Sequence, residues 1–245
     1  MKKLIVFFML AVFSVSIFAE SGFEVMLNIP IGLSLGMPAG KQYKDDKDAK
    51  VGAGFDIGVS AQLGYMFSIK EGLALSILGE IGYAYDTWAI LYKGKTNTDK
   101  DYSLYNSTSY HSLQIGILPK ININQFSIGI GGGIKIPFSA TQYSKYTSDR
   151  RTEKTKENYN FKELTAEYPA RGLGLSPAII GYVKAAFDYS IFFTDNTAIS
   201  IGLYLAHDFM PSKKARKYDD GTIYKDEEGT FDIGLQLGFK LAAKN

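Results

Sequence analysis

Large apolar side chains fall at every second position in eight segments between Gly22 and Leu241. In the first, Phe23, Val25, Leu27, Ile29, Ile31, Leu33, Leu35 and Met37 form one row, against Glu24, Asn28, Pro30, Gly32, Ser34 and Gly36 on the other. The second sets Val51, Ala53, Phe55, Ile57, Val59, Ala61, Leu63, Tyr65 and Phe67 against Gly52, Gly54, Asp56, Gly58, Ser60, Gln62 and Gly64. Side chains that alternate between two faces belong to extended strands, and no helical period generates either row.

A third strand runs through Leu73, Leu75, Ile77, Ile81, Tyr83 and Tyr85, and a fourth through Leu113, Ile115, Ile117 and Ile121. In the fifth the apolar row moves to even positions: Phe126, Ile128, Ile130, Ile134, Ile136, Phe138. Ile179, Val183, Ala185, Phe187, Tyr189 and Ile191 mark the sixth; Ile199, Ile201, Leu203 and Leu205 the seventh; Phe231, Ile233, Leu235, Leu237, Phe239 and Leu241 the eighth. Pro119 interrupts the fourth, because proline donates no ladder hydrogen bond.

The connections alternate in length. Those after strands two, four and six are short, near residues 69–72, 122–125 and 194–196; those after one, three, five and seven are long, about 39–50, 87–109, 139–176 and 210–229. Short turns at one rim and long loops at the other are the layout of transmembrane barrels, with the turns periplasmic and the loops extracellular. An even strand number puts both termini at the periplasmic rim. These features predict an all-β fold: an eight-stranded, antiparallel, up-and-down transmembrane β-barrel.

Alternation alone does not say which face is outside. The apolar row is bulky, and an eight-stranded barrel has room for only a modest filling of side chains. The opposite row is rich in small residues, such as Gly129, Gly131 and Gly133 or Gly234 and Gly238, which suit a crowded lumen better than a watered surface. The apolar row is therefore predicted to face lipid. Aromatic residues gather toward the strand ends, with Phe23, Tyr65, Phe67, Phe126, Phe192 and Phe193 near one rim and Tyr83, Tyr85, Trp88, Phe138 and Phe209 near the other. Rings with one wet and one apolar side collect at membrane interfaces, so Tyr65, Phe67, Tyr83, Tyr85, Trp88, Phe126 and Phe138 are read as interface residues. In hydrocarbon an open sheet would leave two unsatisfied edges, so the eighth strand must pair with the first.

Composition narrows the class further. The 245 residues include 14% aromatics and 25 glycines, which favour a β-rich chain. Lys2 and Lys3 precede an apolar run to Phe13 and then Ser14, Val15, Ser16, Ile17, Phe18 and Ala19, the layout of a secretory signal with cleavage after Ala19 or after Ser16. Residues 1–19 are thus read as signal peptide and 20–245 as the barrel domain. A net charge of +2 offers no electrostatic case for a nucleic-acid partner, and the absence of cysteine excludes disulfides, thiolate metal sites and a lipidated N-terminal cysteine.

Inward positions carry Glu24, Asp56, Glu80, Asp86, Lys135, Lys184, Asp188, Asp208, Asp232 and Lys240. Charges inside a narrow barrel are expected to pair. Lys135 and Lys184, on neighbouring strands, are predicted to meet Glu80 and Asp188 across the lumen as a salt-bridge plug; the same residues would line the path if the lumen conducts. Both histidines, His111 and His207, fall on the outward face near the long-loop rim, where no carboxylate shares the face of His111 to orient its ring, so no catalytic residue is assigned. No His/Asp/Glu cluster has metal-ligand spacing, and Asp45, Asp46 and Asp48 alternate with Lys44 and Lys47 in the manner of a solvated loop, so neither metal nor cofactor is expected. The loop over 139–176 mixes Tyr143, Lys145, Tyr146, Arg150, Arg151, Lys154, Lys156, Tyr159, Phe161 and Arg171 with acidic residues, and part of 157–167 is read as a short helix or an extension of the hairpin above the membrane.

The last strand, through Asp232, Gly234, Leu237 and Phe239, is similar to the polar-x-Gly-x-x-apolar-x-apolar signal for barrel insertion, and the chain from about Gly22 to Leu241 resembles the OmpA/OmpX-type family of small outer-membrane barrels. Leu241 is followed here by Ala242, Ala243, Lys244 and Asn245, where members commonly end on an aromatic residue. The resemblance implies a monomer in the outer membrane of a diderm bacterium, with outer-membrane lipids and the barrel-insertion machinery as partners. The first expectation for function is a structural or surface-interaction role through the long loops, with an extracellular ligand or host surface as partner. A narrow pore ranks second and an outer-leaflet lipid-modifying enzyme third.

Overall fold

The computed structural model describes residues 22–38, 48–95, 100–149, 151–160, 179–210, 216–217, 223–224 and 228–242. Every regular element among them is a strand: β1 (Phe23–Pro38), β2 (Ala49–Val51), β3 (Ala53–Lys70), β4 (Leu73–Lys95), β5 (Asp101–Ile123), β6 (Phe126–Ser148), β7 (Thr152–Asn160), β8 (Ile180–Phe192), β9 (Thr197–Met210), β10 (Arg216–Lys217), β11 (Ile223–Tyr224) and β12 (Glu228–Leu241). The signal segment 1–19 and the loop residues 39–47, 161–178 and 211–215 lie outside the described residues.

Eight strands form a ring in the order β1, β3, β4, β5, β6, β8, β9, β12, each antiparallel to the next. The ring closes because β12 pairs with β1 from Val25↔Leu241 to Pro38↔Glu228. Every long strand therefore has a partner on both sides, which is what a sheet immersed in hydrocarbon requires. Pro30, lacking an N–H, sits where the β1–β3 ladder skips from Asn28↔Ser60 to Ile31↔Ile57. The β5–β6 register slips between His111↔Ser139 and Ser112↔Pro137, leaving Phe138 as the extra residue of a bulge. This bulge lets two even positions of β6 face opposite ways: Phe138 is exposed on the outer surface and Ala140 is buried.

Short-turn connections gather at one rim. Glu71 and Gly72 join β3 to β4, with φ of 74° at Gly72, and Asn124 and Gln125 join β5 to β6, with φ of 52° at Asn124. Asparagine is among the few residues that tolerate this left-handed region, which a two-residue reversal demands.

The two faces of the ring settle what surrounds it. Inward positions are polar and buried, among them Glu24, Asn28, Gln62, Ser76, Lys120 and Gln236. Outward positions are aliphatic and bare, with Ile130 71%, Ile117 61%, Leu33 55% and Leu203 54% exposed. No helix among the described residues is long and apolar enough to cross a membrane. The wall of this ring is the spanning element, a transmembrane β-barrel of eight strands.

Two expectations are corrected. Residues 87–109 and the start of 139–176 were predicted as loops, whereas β4 and β5 stay paired up to Lys95↔Asp101, β5 and β6 up to Tyr102↔Ser148, and β7 adds itself to β6 from Thr147↔Thr152 to Ser139↔Asn160. A five-stranded sheet, β2, β4, β5, β6 and β7, thus stands above the long-loop rim, with β2 on the far side of β4 from Ala49↔Tyr92 to Val51↔Ile90. Residues 87–90 and 107–110 are still buried on both faces, and from Leu91 upward both faces are partly exposed, so the apolar alternation ends while tyrosine, threonine and serine sustain the strand. Residues 157–160, read as helix or hairpin extension, belong to β7.

Trp88, assigned to the outward ring of aromatics, instead points into the barrel. It shares even parity with Glu80 and Asp86 on β4 and is 8% exposed, packed with Ile90, Tyr110, Ala140 and Ile180. This apolar cluster lies above the charged layers on the β4, β5, β6 and β8 side of the ring, below the projecting sheet.

The outward face generates a direct test. Ile117 lies midway along the spanning part of β5, so Ile117→Arg should destabilise the barrel by about 2–4 kcal/mol in urea titrations from lipid vesicles. An unchanged unfolding midpoint would show that lipid does not contact this face.

Candidate functional site

Strand parity sends seven carboxylates and four lysines inward, and the ring stacks them in layers. Nearest the short-turn rim, Lys240 Nζ lies 2.9 Å from Glu24 Oε1. Ser76 donates to the other oxygen of Glu24, Asn122 donates to Ser76 Oγ at 2.7 Å, and Ser127 donates to Asn122 Oδ1 at 2.6 Å. One level up, Lys120 Nζ sits 2.8 Å from Asp188 Oδ2, and Gln236 donates to Asp188 Oδ1.

Glu80 occupies the middle and is the most fully bonded group in the lumen. It accepts from Lys184 at 3.2 Å, from Gln62 at 2.6 Å, from Tyr182 at 3.2 Å, and from Gln114. Above it, Lys135 Nζ reaches Asp86 Oδ1 and Asp208 Oδ2, both at 2.8 Å, and lies 5.6 Å from the centre of the Tyr182 ring. Tyr204 donates to Asp56 Oδ2, while Ser34 donates to Asp232 Oδ1 at 2.5 Å and Thr230 to Asp232 Oδ2 at 3.4 Å. The two lumenal tyrosines fit only because glycines face them: a Cβ on Gly116 would overlap the Tyr182 hydroxyl, and one on Gly32 the Tyr204 hydroxyl.

The pairing differs in part from the predicted one. Lys184 lies on Glu80, but Asp188 is held by Lys120, and Lys135 goes to Asp86 and Asp208. Asp188 stands four residues down β8 from Lys184, roughly 13 Å at the rise of an extended strand, so Lys184 cannot serve both carboxylates. Lys120 is not among the inward charges expected from the sequence, because Pro119 obscures the parity of that strand end; the regular spacing from Leu118 through Lys120 to Asn122, all buried, carries the signal.

Outside, rings meet at both rims. Tyr65 contacts Phe23 and Phe67, and Phe126 contacts Tyr189, near the short turns. At the other rim His111 lies among Tyr83, Tyr85 and Phe138, its Nδ1 2.6 Å from the Tyr83 hydroxyl.

The sequence profile of a family described as "Domain of unknown function (DUF2715)" matches residues 7–242. The chain belongs to that family. Among curated proteins nothing matches. Solved structures that it resembles include Ail, the attachment invasion locus protein of Yersinia pestis, in complex with the heparin analogue sucrose octasulfate, at 14% identity over 89% of this chain and 99% of that one with a TM-score of 0.31. Neisserial surface protein A follows at 11% identity over 90% and 96%, TM-score 0.31, and the outer membrane protease OmpT of Escherichia coli at 8% over 89% and 96%, TM-score 0.37. Likeness this loose bears on no residue.

Among the described residues of this member of the family, the two histidines bond a backbone carbonyl and a tyrosine. His207 Nδ1 bonds the Thr230 carbonyl at 2.7 Å and stacks edge-on to Phe209 at 4.4 Å, while His111 bonds a tyrosine. The chemistry that the described residues do concentrate is ionic and lies in the lumen. Removing one partner of a buried pair strands the other charge, so Lys120→Met is expected to cost about 3–5 kcal/mol. The double variant Lys120→Met, Asp188→Leu should recover most of that loss in the same urea titration. Equal losses in both variants would mean that the pair is not isolated from water.

Proposed function

We propose that the chain is an outer-membrane protein with a sealed lumen, whose work is done by the sheet that projects from its long-loop rim. The termini and short turns face the periplasm and the projecting sheet faces the exterior, following the layout of such barrels. Tyr65, Phe67, Phe126 at one rim and Tyr83, Tyr85, Phe138 at the other anchor the monomer among outer-membrane lipids, where the insertion machinery has placed it.

The observation that carries this reading is the continuation of β4, β5, β6 and β7 beyond the barrel as a paired sheet. A chain that merely solvated the cell surface would have no need of ordered strands there. Tyr102 stacks on Tyr146 with ring centres 6.2 Å apart, Tyr105 meets Tyr143 at 6.3 Å, and Arg151 lies 5.9 Å from the Tyr146 ring centre. Tyr105 also donates to the Ala53 carbonyl at 2.9 Å, which ties the sheet to the barrel wall. Near the tip an open hollow is lined by Lys93, Lys95, Asp101, Tyr102 and Asp149. Rigid aromatics with charges beside them are the composition of binding surfaces, because little side-chain entropy is lost when a partner docks.

Inside, four ionic layers and the Trp88 cluster stand in series across the lumen, which favours a plug over a pore. Two measurements test the proposal. Planar-bilayer recordings of the refolded protein should show no steady current, and a sustained, ion-selective conductance would contradict the sealed lumen. Replacing Tyr143 to Lys156 by an Asn-Gly turn should leave the heat-modifiable gel shift of the barrel intact. It should also lower adhesion of expressing cells to immobilised matrix proteins and glycosaminoglycan about tenfold or more, a loss of one hot-spot side chain or more. Undiminished adhesion would place the interaction elsewhere.

A further inference from the structure

We propose that the uppermost ionic layer is a binding site for one hard divalent cation, Ca²⁺ by size, held between Asp56, Asp86 and Asp232. These residues come from β3, β4 and β12, and each offers a carboxylate oxygen within 4.8 Å of the others. Ca²⁺ binds oxygen at about 2.3–2.6 Å, so two ligands on opposite sides of the ion stand about 4.6–5.2 Å apart and adjacent ones closer, a range that these three oxygens satisfy.

The charge distribution isolates this layer from the rest. Glu24, Asp188 and Glu80 each face one lysine of their own, Lys240, Lys120 and Lys184. The top layer sets four buried carboxylates, Asp56, Asp86, Asp208 and Asp232, against Lys135 alone. The whole charge imbalance of the described lumen is therefore concentrated in one place, where burial makes uncompensated charge expensive. A divalent cation offsets most of it, and the hydroxyls of Tyr204, Ser34 and Thr230 supply donors to the carboxylates it leaves partly unneutralised.

Two further groups point at a ligand. Asp86 gives Oδ1 to Lys135, and its Oδ2 is buried with no hydrogen-bond partner. Ser60, only 5% exposed, lines the same cavity as the three aspartates, and its hydroxyl has no partner either. That cavity measures about 30 Å³, room for an ion and a water ligand, and Lys135 and Lys184 also line it. Every donor is oxygen, a set that suits Ca²⁺ and Mg²⁺ and disfavours the softer transition metals.

Refolding the full chain from urea into detergent micelles, with either CaCl₂ or EDTA, followed by desalting, elemental analysis and thermal unfolding, tests this. The calcium sample should retain about one Ca²⁺ per barrel and unfold on the order of 5 °C higher than the EDTA sample. MgCl₂ should give a smaller shift, and retention of Mg²⁺ in preference to Ca²⁺ would overturn the calcium assignment. The isosteric variant Asp56→Asn, Asp232→Asn should fold with the same gel shift, retain no Ca²⁺ and unfold at one temperature in both media. Calcium retained equally by that variant would put the ion on loop carboxylates and overturn the site. The parent decides the matter even if the variant does not fold, because a parent that keeps no calcium and unfolds identically with EDTA refutes the proposal outright.

Discussion

In hydrocarbon a backbone amide or carbonyl has no partner except another backbone group, and the pairing of β1 with β12 answers that constraint. Without it, two edges of fourteen or more residues would face lipid unpaired. Closure at eight strands then dictates the interior, since the ring encloses only a narrow column. That column is filled by glycine, serine and alanine, with a few long polar side chains reaching across. Gly116 and Gly32 make way for Tyr182 and Tyr204, and those rings in turn bring hydroxyls to Glu80 and Asp56.

The electrostatics follow from the geometry. A lumen this narrow, with its inward charges buried, makes every unpaired charge costly. The lower three layers meet that cost with lysine–carboxylate pairs, while the upper layer gathers more carboxylates than ammonium groups. The Trp88 cluster lies between two regions with different physics: below it charge is buried and bonded, and above it β4 to β7 carry their charges and tyrosines into solvent.

Much of this was legible in the residues. Alternation located all eight spanning strands, the unequal connections told the two rims apart, and parity placed Glu24, Asp56, Glu80, Lys135, Lys184 and the other inward charges. Parity applied consistently would also have turned Trp88 inward; the assignment failed because tryptophan was read by its habit of sitting at interfaces and not by its even number. The extents of β4, β5, β6 and β7 were hidden for a physical reason, since their lower ends are buried on both faces and their upper ends partly exposed on both, and neither arrangement leaves an apolar row at every second position. Pairing partners were hidden for another. Which lysine meets which carboxylate depends on the stagger between strands, and a local pattern fixes a face but not a height. Asp56, Asp86 and Asp232 are far apart in the chain and share no spacing rule, so only the closed ring brings them together.

The central claim is that acyl chains wet the outer face of the ring and polar side chains fill its inside. Paramagnetic broadening by lipids carrying a spin label at the acyl terminus, measured on the side chains of the protein in nanodiscs, reads this directly. Signals of Leu33, Ile117, Ile201 and Leu203 should broaden strongly, while those of Tyr182, Lys184 and Tyr204 should keep their intensity. Broadening of the lumenal set with the aliphatic set untouched would contradict the inside-out arrangement on which the fold, the sealed lumen and the cation site all rest.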